Sequence, residues 1–282
     1  MSLVVGVDAG GTSTRAIAID AAGVVHGTAA AGGANPNAHP PAEAAARIAG
    51  AIESALDGRT DVLGVVVGMA GESKLSDPAV AAEFTAAWER IGLGGLVRVT
   101  GDAEVAYASA TAEPDGTVLV AGTGSIAGRI RGRRMVATAG GHGWLLGDEC
   151  SGFWLGREAV RATLAALEGD GPLGGLAEAV LAEAFGPSAV DLSDRFAVMW
   201  ELVTHSNAEP PVRLARYAPL VSAAAVAGEP VAEEIVARGA RHLVRVARAT
   251  RVPGEKNPIV VGGCVRGGNR PGGAPVRGGF PG

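Results

Sequence analysis

Two stretches of the chain share one order: an apolar run, a turn of glycines and hydroxyl residues, and a second apolar run. They are VVGVDAGGTSTRAIAID, Val4 to Asp20, and TVLVAGTGSIAGRI, Thr117 to Ile130. Apolar and β-branched runs that stop at such turns read as paired strands. A turn lacking Cβ atoms also leaves backbone N–H groups accessible to an anion. A chain that does this twice is constrained to two similar halves.

The rest of the sequence fits that repeat. Runs at 3–8, 14–19 and 23–28 read as three strands, followed by an Ala-rich helix at 41–56 and a strand at 63–71. Asp77, Pro78 and Gly92 mark the cap, first position and end of another helix, and a strand at 96–99 leads into a helix near Asp102. From 117 the strand-rich order recurs, with helices expected at 156–168, 173–185, 191–204, 211–227 and 231–250 and a last strand in NPIVVGG. The expected architecture is α/β, with two lobes facing one another around a central cleft. The expected domains are 1–112, 113–265 and a tail, 266–282. From Gly262 to the end, nine of 21 residues are Gly and three are Pro, with no apolar period, so the tail is expected to be disordered.

Composition narrows the partners. The 282 residues carry a net charge of −5, which gives no broad basic face for nucleic acid or an anionic membrane. Neither a signal peptide nor an apolar run of ~18 residues is evident, and the two cysteines, Cys150 and Cys264, are too few for a disulfide framework or a zinc cluster. A cytoplasmic protein acting on small molecules is expected, and a homodimer is compatible with the sequence.

The turns indicate which small molecules. The N–H groups of Gly10, Gly11 and Thr12 are expected to face a phosphate, with Thr12 and Thr14 adding hydroxyl donors. Asp8 suits a hydrated Mg²⁺, held through water over the same phosphates. An ordinary glycine hairpin with a solvated Asp8 is the plain alternative for this turn alone. The second turn, Gly122, Thr123, Gly124 and Ser125, repeats the pattern in the other half. Two such turns suit the terminal phosphates of a nucleotide.

Five segments then point to a family. These are GVDAGGTSTRA, GDAEVAYASA, AGTGSIAG, GGHGWLLGDECSGFWLGREAV and, more weakly, IVVGGCV, together spanning residues 4 to about 265. The chain resembles sugar kinases of the actin, Hsp70 and hexokinase superfamily. Within that group it is most similar to the N-acetylglucosamine and glucosamine kinases and the related BadF/BadG/BcrA/BcrD ATPases. The resemblance implies ribonuclease H-like lobes and transfer of phosphate from ATP, with Mg²⁺, to the 6-hydroxyl of an aminosugar, free glucosamine ahead of N-acetylglucosamine. It also implies Asp102 as general base, with Asp148 and Glu149 binding sugar hydroxyls and Asn35 or Asn37 of GGANPNAH reaching over the sugar. Thr123 and Gly124 would lie between γ-phosphate and sugar, and Gly262 and Gly263 in the adenosine motif.

Several residues have plainer readings. Asp102 is also placed to cap its helix. His142 reads as structural, Trp144, Phe153 and Trp154 as core or cleft-wall aromatics, and the RIRGRR segment, 129–134, as a solvated hairpin. Two other functions share the fold: an ATPase activator of a radical dehydratase, which needs cysteines for an iron–sulfur cluster, and a catalytically impaired sugar sensor. After GGCV the sequence departs from the family pattern, which continues with a helix.

Overall fold

The computed structural model describes residues 2–11, 13–186 and 192–263; Thr12, Cys264 and the Gly/Pro tail lie outside the described residues. The chain divides into two compact units, Met1–Ser109 and Ala110–Gly282.

The first unit is built on β1 (Leu3–Ala9), β2 (Ser13–Asp20), β3 (Val25–Gly32), β4 (Val62–Met69) and β5 (Val97–Gly101), in the order β3-β2-β1-β4-β5. The three strands β1, β2 and β3 pair antiparallel, while β1, β4 and β5 run parallel. Leu3, Val5, Val7 and Ala9 of β1 are buried, and Val4 and Asp8 face the other way, the period of two that a strand imposes. Helix α1 (Pro41–Leu56) adds Ile48, Ile52 and a row of alanines to the same core. Each fully buried Ile or Phe side chain contributes about 1.5–3 kcal/mol. The small alanines allow close approach: a Cβ on Gly27 of β3 would overlap the Ala55 carbonyl. Helix α2 (Pro78–Arg90) starts as its sequence dictates. The Asp77 carboxylate accepts from the Ala79 N–H, and Phe84 and Trp88 fill the core. Helix α3 (Asp102–Ala108) follows β5 directly.

The second unit repeats the topology. Strands β6 (Gly116–Ala121), β7 (Ser125–Arg131), β8 (Arg134–Gly140) and β9 (Ile259–Gly262) form a sheet in the order β8-β7-β6-β9, matching β3-β2-β1-β4, with β6 and β9 parallel. Gly132 and Arg133, at φ 55° and 63°, make the left-handed two-residue turn that suits the twist of a hairpin. The arginines here are not simply solvated, as the sequence suggested. Arg129 Nε donates to the Thr250 carbonyl, and Arg131 pairs with Glu255 at 3.2 Å, so the hairpin is tied to the segment before β9.

The helical part comprises α4 (Gly143–Leu146), α5 (Gly152–Glu168), α6 (Gly175–Phe185), α7 (Arg195–Asn207), α8 (Ala218–Val226) and α9 (Pro230–Ala249). The single helix expected over 211–227 is split into a 3₁₀ segment, Pro211–Tyr217, and α8, because Pro219 has no N–H with which to continue the first ladder. That segment lies directly on α5, where a Cβ on Gly156 would overlap the Leu214 carbonyl. Helix α5 begins four residues before the expected start, since Ser151 Oγ accepts from the Trp154 N–H at 3.1 Å. Among the described residues no helix is long and apolar enough to cross a membrane.

Candidate functional site

In the first unit the candidate residues gather at the carboxyl ends of parallel strands, where open α/β sheets bind ligands. Asp8 is the penultimate residue of β1, and Asp102 follows β5, with β4 between the two strands. Asp8 is exposed by area, yet its carboxyl is raised above its ordinary 3.8. Desolvation is the main cause and the negative charge of Asp102 the second, against the opposing charge of Arg15. Asp102 is the first residue of α3, and Gly101 occupies the cap position; the Asp102 carboxylate accepts from the adjacent Ala103 N–H, at 2.8 Å, rather than from an N–H further along the helix as a cap would. The helix-cap reading of Asp102 is thereby corrected.

The first glycine turn is narrower in function than its sequence suggests. The Gly10 N–H closes the hairpin by donating to the Ser13 carbonyl at 2.9 Å, while the Gly11 N–H has no protein acceptor among the described residues. Thr14 is fully buried and its hydroxyl donates to the Gly32 carbonyl at 2.8 Å, so this expected phosphate donor is committed inside the sheet. Thr12 lies outside the described residues. Support for the turn comes from residues the motif did not flag. His39 Nε2 donates to the Gly11 carbonyl at 3.0 Å, which leaves Nδ1 to accept from Arg47 at 3.2 Å, and Arg47 also donates to the Gly33 carbonyl and pairs with Glu43. Gly33 is required here because a Cβ would overlap the Gly11 carbonyl.

Asn35 and Asn37 stand beside this turn. The Asn35 Oδ1 accepts from the Asn37 N–H at 2.8 Å, and the Ala34 N–H donates to the Gly10 carbonyl at 2.9 Å. Both amide side chains lie against Gly71, at φ 81°, just beyond β4; any Cβ there would overlap them. Gly71 is a supporting residue that only its place after a strand could have signalled.

The second turn is anchored by the segment Asp148–Phe153. The Asp148 Oδ1 accepts from the Ser125 N–H at 3.1 Å, and the Ser125 hydroxyl donates to the Glu149 carbonyl at 2.9 Å. Ser125 is thus a structural tie with its hydroxyl proton already engaged, contrary to its expected role toward phosphate. The N-terminal N–H groups of α5 donate to the turn: Gly152 to the Gly122 carbonyl at 2.7 Å and Phe153 to the Thr123 carbonyl at 3.4 Å. Since the Gly122 N–H donates to the Gly124 carbonyl, Thr123 and Gly124 retain N–H groups without a protein acceptor among the described residues. Gly262 pairs with Val120, and Gly263, at φ 112°, packs where a Cβ would overlap the Ala121 carbonyl, so β9 ends beside this turn.

The acidic pair is divided. Asp148 joins the turn, whereas Glu149 points to His242, 3.1 Å from its Nε2, at a cavity of about 520 Å³ lined by α5 and α9. Left-handed backbone at Asp148 and Cys150, φ 60° and 63°, produces this divergence. Burial lowers the His242 pKa, Glu149 raises it, and Arg245 lowers it, for a net fall. Phe153 and Trp154 are buried, as core aromatics should be, while Trp144 is largely exposed and meets Phe153 edge-on at 5.9 Å. His142 occupies the position before α4 without capping it. Cys150 is buried against Gly239, and burial pushes its thiol up to about 11.

No group of three or more His, Cys, Asp or Glu among the described residues could hold a metal unaided. A lone carboxylate such as Asp8 fits Mg²⁺ that keeps its waters and shares phosphate oxygens.

Comparison with known proteins bears on the family and the fold. The family model of the BadF/BadG/BcrA/BcrD ATPases matches residues 5–268. The N-acetylmuramic acid/N-acetylglucosamine kinase of Clostridium acetobutylicum is 34% identical over 101 residues, 36% of this chain and 32% of that protein, so the match spans about a third of the relative. A protein described as an N-acetylglucosamine kinase from Chromobacterium violaceum superposes with a TM-score of 0.74 at 24% identity, covering 94% of this chain and 88% of that one. One from Porphyromonas gingivalis gives 0.67 at 25% identity, covering 93% and 86%. With two sheets of matching topology, each carrying a glycine turn, and a family match over nearly all the described residues, the chain belongs to the BadF/BadG/BcrA/BcrD ATPase family.

Proposed function

We propose that the chain is a sugar kinase that transfers the γ-phosphoryl group of ATP to the 6-hydroxyl of an aminosugar. The relatives' names favour N-acetylglucosamine over the free glucosamine that the sequence reading put first. The observation that carries the reading is the placing of Asp8 and Asp102 at the carboxyl ends of β1 and β5, close enough for one charge to raise the pKa of the other. Asp102 accepts the proton of the sugar hydroxyl as its oxygen bonds to the γ-phosphorus and ADP leaves. The N–H groups of Gly11, Thr123 and Gly124 donate to phosphate oxygens, and Asn35, Asn37 and Asp148 orient the sugar. Mg²⁺, held by Asp8 through water, would neutralise charge on the transferring phosphate. A cluster-carrying activator is disfavoured because Cys150 is buried with its thiol protonated.

Release of ADP, assayed with N-acetylglucosamine, with glucosamine and without sugar, tests the reading. Sugar-dependent release, greater with N-acetylglucosamine, is the expected result. Sugar binding without sugar-dependent ADP would instead identify a sensor.

A further inference from the structure

The cavity lined by α5 and α9 has a charge opposite to that of the chain. Five arginines line it, Arg157 and Arg161 from α5 and Arg238, Arg241 and Arg245 from α9, with Glu149 and Glu158 as the only lining carboxylates. On α9, residues 238, 241, 242 and 245 recur at helical spacing and form one stripe. Like charges at that spacing weaken a helix. Such a stripe in a protein of net charge −5 calls for an external counter-charge.

The arginines are organised rather than loose. Glu158 is buried, and its two oxygens serve three guanidinium groups: Oε1 accepts from Arg157 at 3.2 Å and Arg161 at 3.4 Å, and Oε2 from Arg238. One carboxylate therefore holds three positive groups while neutralising one. Arg157 is also held over Phe153 at 5.6 Å, and Arg238 over Trp154 at 5.0 Å. These contacts help hold two of the guanidinium groups in place, and Arg forks match the paired oxygens of a phosphate. Arg245 donates to His242 Nδ1 at 3.1 Å, and Arg241 pairs with Glu234 at 2.9 Å at an exposed edge. The remaining carboxylates are too few to balance the five cations. A cavity of about 520 Å³ falls in the range of small-molecule sites.

We propose that this cavity is a binding site for a small molecule bearing a phosphate or diphosphate group, distinct from the two glycine turns. The proposal does not depend on the kinase reading. Both helices belong to the second unit, and binding there can be measured without turnover.

The test uses inorganic pyrophosphate as probe, titrated calorimetrically into the full chain with the nucleotide turns saturated by a non-hydrolysable ATP analogue. Wild type should show saturable binding that weakens with added salt. The triple variant Arg161→Ser, Arg241→Ser, Arg245→Ser should bind at least about tenfold more weakly, because charge-assisted forks are lost. Arg161 and Arg241 are largely exposed, so folding should persist. As a second measurement, pyrophosphate should raise the melting temperature of wild type and not that of the Arg241→Ser, Arg245→Ser double variant. Absence of saturable binding to wild type, or equal affinity in the triple variant, would overturn the proposal.

Discussion

The carboxylate of Asp148 accepts from the backbone N–H of Ser125 at 3.1 Å and so fixes the second glycine turn to the start of α5. Ser125 is buried, and no water can replace that acceptor cheaply. Asp148→Asn keeps an oxygen acceptor and a side chain that tolerates the left-handed backbone at φ 60°. Asp148→Ala strands the N–H. Denaturant unfolding should show Asp148→Ala less stable by about 1–3 kcal/mol and Asp148→Asn closer to wild type. Equal loss in both variants would show that the acceptor is immaterial.

Gly33 and Gly50 make an opposed pair. Alanine at 33 would collide with the Gly11 carbonyl and must displace the first turn, whereas alanine at 50, inside α1, meets nothing within 4 Å. Gly33→Ala should cost about 1–3 kcal/mol and weaken nucleotide binding. Gly50→Ala should stabilise by about 0.5–1 kcal/mol with nucleotide binding unchanged. Calorimetry with an ATP analogue, beside thermal melts, checks both.

Asp20 gives a pH dependence of stability. The hydrogen bond from His26 Nε2, at 2.8 Å, is the largest cause holding its carboxyl below the ordinary 3.8; the Val24 and Ala22 N–H groups add to it against the opposing effect of desolvation. A folded-state pKa below the unfolded one stabilises the fold above the unfolded value, and that contribution is lost as pH falls through the folded value. The melting temperature of wild type should therefore exceed that of Asp20→Ala above the ordinary carboxylate range. The gap should shrink once the pH falls below 3.8. A gap that widened on acidification would refute the assignment.

Cys150 should be inert. With its thiol pushed up to about 11 and its sulfur packed against Gly239, it presents only about one thiolate in a thousand at pH 8. Mass spectrometry of peptides after iodoacetamide treatment should find Cys150 unmodified in the native protein and modified in denaturant. Rapid native labelling would contradict its burial.

The strands were legible because alternation and glycine turns mark them locally. Leu3–Ala9 and Ser13–Asp20 lie within a residue or two of their expected limits, and helix 41–56 matches in full. The break before α8 was missed although Pro219 announces it, because the apolar period runs on through the proline. At the site, local pattern located both turns but could not assign their donors. Whether Thr14 or Ser125 faces a ligand depends on partners distant in sequence: Gly32 for Thr14, and Asp148 and Glu149 for Ser125. Gly71, His39 and the arginine cavity likewise arise from pairings that no short motif encodes.

The most direct measurement is turnover by Asp102→Asn with N-acetylglucosamine and ATP, alongside its affinity for a non-hydrolysable ATP analogue. The account predicts that kcat falls by about 10²–10⁴-fold while nucleotide affinity stays within a few-fold of wild type. Wild-type turnover in that variant would contradict it.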